Sequence, residues 1–186
     1  MSQTTVQQGL ILVDIQNDYF PDGSFELVGM NRAVNNARRL LQTFRDRQAP
    51  IFHIQHISLQ PGATFFLSNT EGAKIHESVL PQAERITVLK HFPNSFRETN
   101  LLSQLQSAGI SEVVICGAMS HMCIDATTRA AFDFGFDCIL IEDACATRDL
   151  EYQGNLVKAS DVQTAFMASL AAVYAKVIST DEFLMK

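Results

Sequence analysis

The 186-residue chain has no tryptophan, five prolines and no excess of basic charge: 14 Lys and Arg stand against 20 Asp and Glu, a net charge of −6. Nothing here neutralises a phosphate backbone, so nucleic acid is not an expected partner, and neither is an anionic membrane surface. No apolar run approaches the roughly 18 residues that span a bilayer, and the leading MSQTTVQQ lacks a basic segment and a cleavage-type site. The expectation is a cytoplasmic protein without membrane contact. The four cysteines, Cys116, Cys123, Cys138 and Cys145, lack the two-residue spacing of a zinc knuckle or redox pair, so they give no ground to expect a metal or other cofactor. Three of them lie among apolar or small residues (VVICGA, FDCILI, EDACAT) and read as small buried hydrophobes. No repeat, low-complexity tract or Pro/Gly/Ser linker divides the chain, so residues 1–186 read as a single domain able to bury about 70% of its unfolded surface.

What is present is an alternation. Short β-branched apolar runs at 10–15, 50–57, 85–90, 112–117 and 137–143, with a weaker one at 176–179, are separated by amphipathic stretches. Continuous apolar runs of this kind predict parallel strands covered on both faces, hence an α/β fold. Asn31 to Arg47 repeats Val34, Ala37, Leu40, Leu41 and Phe44 at helical spacing. Thr99 is placed to cap a helix ending at Gly109, a second helix runs from Cys123 to Gly135, and a third sets Val162, Phe166, Leu170 and Val173 on one side. Ser58 to Glu84 is a long irregular segment, expected to form a pocket wall.

Ligands of an open parallel sheet bind beyond the carboxyl ends of the strands. Asp14 closes the first run (LILVDIQNDYF), Lys90 closes the third (ITVLKHFPNSF), and Cys123 follows the fourth across a short turn (VVICGAMSHMCIDATTRAA). Each alone is weak evidence, since an Asp after a strand reads first as a turn cap and a Lys as a solvated tail. Together at one sheet edge they make a set that structure alone explains poorly, because neighbouring charges need compensation when buried. A cation and a helix N-terminus lower a thiol pKa, so Lys90 and the strand-to-helix turn are expected to favour the Cys123 thiolate. Asp14 is the expected base, and the acyl-enzyme chemistry of a hydrolase follows.

The DIQNDYF, VLKHFPNSF and CGAMSHMCIDATTRAAFDFGFD segments resemble the isochorismatase-like cysteine hydrolases. The resemblance covers essentially the whole chain and implies a three-layer α/β/α sandwich around a six-stranded parallel sheet of order 321456. It also implies an Asp14, Lys90, Cys123 triad, a cis peptide at Ala118–Met119, and an oxyanion hole from the amides of Met119 and Cys123. In that order the Lys90 strand stands two strands from the Asp14 strand, roughly 10 Å away by normal spacing, so the lysine arm has to reach inward. Nicotinamidases of this type hold a metal through an Asp-x-His pair after the second strand. This chain has HIQHISLQPG there, and the pair is not reproduced at Gln55 and His56. True isochorismatases lack the nucleophilic thiol, so Cys123 argues against vinyl-ether hydrolysis.

The expected function is therefore amide-type hydrolysis of a small molecule, without cofactor, by a homo-oligomer. The alternatives are a thiol redox sensor or binding module, and a vinyl-ether hydrolase that retains a thiol. Phe20, His56, Phe65, Phe66 and His121 are the candidate substrate-lining residues, with core packing as the competing role for the aromatics. Gln16 and Asn17 are expected to tie down the active-site loops. Asp125 and Arg129, four apart, read as an intrahelical ion pair.

Overall fold

The computed structural model describes residues 6–82 and 86–185. The last two positions of the irregular segment expected at Ser58–Glu84, and the first of the run expected from residue 85, lie outside the described residues. In chain order the elements are β1 (Gln8–Val13), α1 (Met30–Asp46), β2 (Ile51–His56), β3 (Ile86–Lys90), α2 (Leu101–Ser107), β4 (Glu112–Ala118), α3 (Asp125–Asp133), β5 (Asp137–Ala146), β6 (Leu150–Tyr152), β7 (Asn155–Val157), α4 (Ala159–Val173), β8 (Lys176–Ile178) and α5 (Thr180–Leu184).

Six strands form one parallel sheet in the order β3-β2-β1-β4-β5-β8; numbered within the sheet, this is 321456. The central strands are apolar on both faces, and alternate residues divide between two cores. Leu10 and Leu12 of β1 join one core with Met30, Leu40, Leu41 and Phe44 of α1 and Phe183 of α5. Ile11 and Val13 join the other with Leu101 and Leu105 of α2, Ala131 of α3 and Met167 and Leu170 of α4. The two cores define the outer layers of a three-layer sandwich. Each fully buried Leu or Phe contributes about 1.5–3 kcal/mol, so these stripes supply the main favourable term.

Two local expectations are corrected and one element is added. The helix after Thr99 starts one residue later: Asn100 is its N-cap, and Thr99 Oγ1 accepts from Leu101 N at 3.3 Å while donating to Ser95 O at 2.6 Å. On α4 the buried positions are Ala159, Val162, Met167 and Leu170, while Val173 is exposed, because the helix turns that last residue away as the chain leaves for β8. The antiparallel β6–β7 ribbon was not expected; its strands are short and mostly exposed, so they show no burial alternation. Among the described residues, no helix is long and apolar enough to cross a membrane.

Candidate active site

Two adjacent strands bring the chemistry together. Val13 pairs with Gly117 across β1 and β4, and a Cβ on Gly117 would lie 2.0 Å from Val13 O. With φ at +129°, Gly117 occupies backbone space that L side chains rarely adopt, so glycine permits this close approach. The chain leaves β1 through Asp14 at φ +51° and leaves β4 through the cis Ala118–Met119 peptide. A single wide π-helical turn, Ser120–Ile124, then carries Cys123 into α3. Ser120 Oγ lies 2.5 Å from Gln163 Oε1 and 3.2 Å from Ala146 O, which fastens the turn to α4 and β5.

Lys90 reaches the same point from the sheet edge. Its ammonium lies 2.7 Å from Asp14 Oδ2 and donates to Cys123 Sγ at 3.2 Å and Phe92 O at 3.1 Å. It also lies 2.9 Å from His56 Nδ1. The long stem spans the strand between, as the reach expected of it requires. Asp14 and Lys90 are fully buried, and Cys123 keeps 4% exposure. The following PNSF segment is tied to the helix that follows Cys123, where Ser95 Oγ lies 2.8 Å from Thr127 Oγ1.

Burial pulls the Lys90 ammonium down, but the Asp14 carboxylate and Cys123 outweigh it and hold its pKa above the ordinary value. The Cys123 thiol is corrected in direction: burial first, then the negative Asp14, push it up, and Lys90 only partly opposes them. The resting group is therefore a thiol beside a charged pair, not the thiolate that a nearby cation alone predicts. Burial and then Lys90 lower His56 to about 4, which keeps its imidazole neutral.

Donor atoms of Asp14, His56 and Cys123 lie within 4.8 Å of one another, a spacing compatible with a metal ion. The cation they surround is the Lys90 ammonium, about 3 Å from each. A divalent ion there would meet a fixed positive charge, so the set suits an internal ammonium better than a metal.

The candidate lining residues divide. His56 joins the charged cluster, and Phe66, buried, packs on Tyr19 with ring centroids 4.5 Å apart and on His56 at 5.8 Å. Phe65 is half-buried and stacks on Phe25 at 4.2 Å. Phe20 is buried and stacks on His76 at 3.8 Å, a packing contact. His121 sits on the wide turn with Nδ1 2.6 Å from Thr147 Oγ1. Met119 immediately precedes that turn and is buried. Asp125 and Arg129 form the expected ion pair at 2.9 Å.

Four further residues organise the site. Gln16 is fully buried: its amide donates to His56 O at 2.9 Å and Ala73 O at 2.7 Å and accepts from His56 N at 2.7 Å. Asn17 donates to Glu71 O at 2.9 Å, so both residues tie the loops as expected. Asp18, unassigned from sequence, accepts from Phe66 N at 2.6 Å and Ser24 N at 3.2 Å. Burial, then Cys123 and Asp14, raise the Tyr19 phenol well above its usual value, which places another neutral group beside the cluster. The only signal of Asp18 and Tyr19 in the sequence is membership of the DIQNDYF segment.

Comparison with known proteins agrees with the fold. The Isochorismatase domain model matches residues 8–182. The chain is 50% identical over 175 residues to the uncharacterized isochorismatase family protein YddQ of Bacillus subtilis, covering 94% of this chain and 97% of that one. It is 33% identical over 168 residues to a streptothricin hydrolase of Streptomyces noursei, covering 90% of this chain and 59% of that protein. A crystal structure from Oleispira antarctica, assigned to the isochorismatase hydrolases, superposes over 100% of both chains with a TM-score of 0.95 and 45% identity. A family model spanning almost every described element, on a sheet of the order the family implies, establishes that this chain belongs to the isochorismatase family of hydrolases.

Proposed function

We propose that the chain hydrolyses a small-molecule amide-type carbon–nitrogen bond through an acyl-enzyme on Cys123. The observation that carries this reading is one buried ammonium in contact with both a carboxylate and a thiol. Asp14 takes the thiol proton as sulfur bonds to the carbonyl carbon, and the carbonyl electron pair moves onto oxygen. The amides of Met119 and Cys123 donate to that oxygen. Collapse breaks the carbon–nitrogen bond, and the departing nitrogen takes the proton from Asp14. Water then attacks the thioester, giving a proton to Asp14, and the acid leaves as sulfur recovers that proton. Lys90 stays charged throughout and faces the negative charge as it passes from carboxylate to sulfur. Phe65, Phe66 and His121 form the substrate walls, with Phe20 supporting them from behind, while the His56 imidazole is turned to Lys90.

A protonated, buried thiol speaks against the redox-sensor reading, which calls for an accessible thiolate. Vinyl-ether hydrolysis needs no sulfur nucleophile, so activity that survives loss of Cys123 but not of Asp14 would point there. The test is Cys123→Ala against a panel of small-molecule amides, with acyl-adduct trapping by mass spectrometry in the unmodified protein. The expected result is an acyl mass on the Cys123 peptide and a loss of turnover of about a thousandfold or more. Full turnover without Cys123 rejects the reading. The exposed β6–β7 ribbon and Val173 supply apolar surface for a homo-oligomer, and light scattering gives its size.

A further inference from the structure

The Lys90 ammonium has three N–H bonds and four acceptor atoms around it: Asp14 Oδ2, His56 Nδ1, Phe92 O and Cys123 Sγ. Two of these, Asp14 and Cys123, exchange a proton in the reaction above. The other two do not, and their effect is to settle where the remaining hydrogen points.

We propose that His56 is a positioning residue: its imidazole Nδ1 and the Phe92 carbonyl each hold one Lys90 N–H, leaving the third shared between Asp14 and Cys123. This rests on the reading of Cys123 as nucleophile. The imidazole is well placed for the task. Its backbone is clamped at both N and O by the buried Gln16 amide, its residue pairs directly with Lys90 across β2 and β3, and its ring faces Phe66. Accepting from an ammonium at Nδ1 requires the ring proton on Nε2, so the contact also fixes the tautomer. The titratable groups facing it are Asp14 from the end of β1, Lys90 and His91 from the end of β3, and Cys123 from the wide turn; burial and Lys90 keep it neutral.

The consequence is chemical. When the proton passes from sulfur to Asp14, negative charge passes the other way. An ammonium held by two neutral acceptors stays between the two partners while this happens and needs no reorganisation. With the imidazole acceptor removed, Lys90 settles onto the Asp14 carboxylate, the resting charge pair is over-stabilised, and the thiol surrenders its proton less readily.

The experiment compares iodoacetamide alkylation of Cys123, located by mass spectrometry across a pH series, with kcat and KM in the unmodified protein, H56L, H56Q and C123A. In H56L, alkylation near neutral pH and kcat both fall about tenfold while KM stays within about twofold, and H56Q, whose amide oxygen replaces the acceptor, recovers most of both. H56F, which keeps a planar ring but offers no acceptor, takes the place of H56L if the latter does not fold. Unchanged alkylation and kcat in the variant lacking the acceptor overturns the proposal, as does a raised KM with kcat intact, which makes His56 a substrate contact. C123A separates the two readings: turnover persisting there rejects the nucleophile itself, whereas an inactive C123A with an unaffected H56L rejects only the role of His56.

Discussion

Lys90 Nζ lies 2.7 Å from Asp14 Oδ2 although β2 separates their strands, and neither side chain touches solvent. Removing one charge of such a pair strands the other. Asp14→Asn is expected to lower stability by about 3–5 kcal/mol in urea unfolding, because the lysine charge remains buried without its counterion. Combining it with Lys90→Met should return much of that loss, with turnover expected to be lost in both variants. A double mutant no more stable than the single would show that the ammonium is not the source of the penalty.

Stability should fall on mild acidification. His56 is held at about 4 against an ordinary 6.5, so between those values the unfolded chain binds a proton that the folded chain refuses. The stabilising contribution is therefore complete above about pH 6.5 and is lost as the pH drops toward 4. His76 and His121 shift in the same direction and reinforce the trend. Urea midpoints across this window check it, and His56→Gln should flatten the slope. A midpoint constant over the window in the unmodified protein contradicts the expectation.

Gly117→Ala is expected to be severely disruptive. The added methyl would meet Val13 O at 2.0 Å in a backbone conformation that alanine resists, so β1 and β4 would have to separate where both functional ends emerge. The loss should exceed about 3 kcal/mol, with activity falling alongside thermal stability. A variant of near-normal melting temperature would mean that the sheet yields there at little cost.

The loop between β2 and β3 hangs on Asp18, which accepts from Phe66 N at 2.6 Å and whose own amide donates to Gly72 O at 2.9 Å. A Cβ on Gly72 would fall 2.0 Å from Asp18 Oδ1. Both Asp18→Ala and Gly72→Ala should loosen this wall, raising KM several-fold and increasing proteolysis of the loop, with a smaller effect on kcat. Equal KM in both variants and the unmodified protein would show that the wall stands without this anchor.

Much of the architecture is legible because hydrophobic periodicity reports burial, and burial is what the sheet and helix faces share. The run ending at Asp14 and the run ending at Lys90 become β1 and β3 with those residues at their carboxyl ends. Proximity is another matter. Lys90 closes an apolar strand, and only the family's sheet order, not its own surroundings, calls for its stem to turn inward, while Asp18 sits one residue from Asn17 with nothing to separate a loop anchor from a turn residue. The direction of the Cys123 shift was illegible for a related reason. A sequence shows which charges stand near a thiol, but desolvation depends on how completely neighbouring segments close over it. The β6–β7 ribbon escaped notice because its strands bury too little for alternation to register.

The sheet order carries a consequence for how activity is acquired. Carboxylate, amine and thiol come from the first, third and fourth strands, with the innermost of these pairings linking distant stretches of chain. No hairpin or isolated fragment brings any two of them together, so the cluster proposed to carry catalysis has no partial form. Recovered turnover after denaturation should therefore track the slowest, most non-local event of assembly, making the reaction itself a gauge of complete folding.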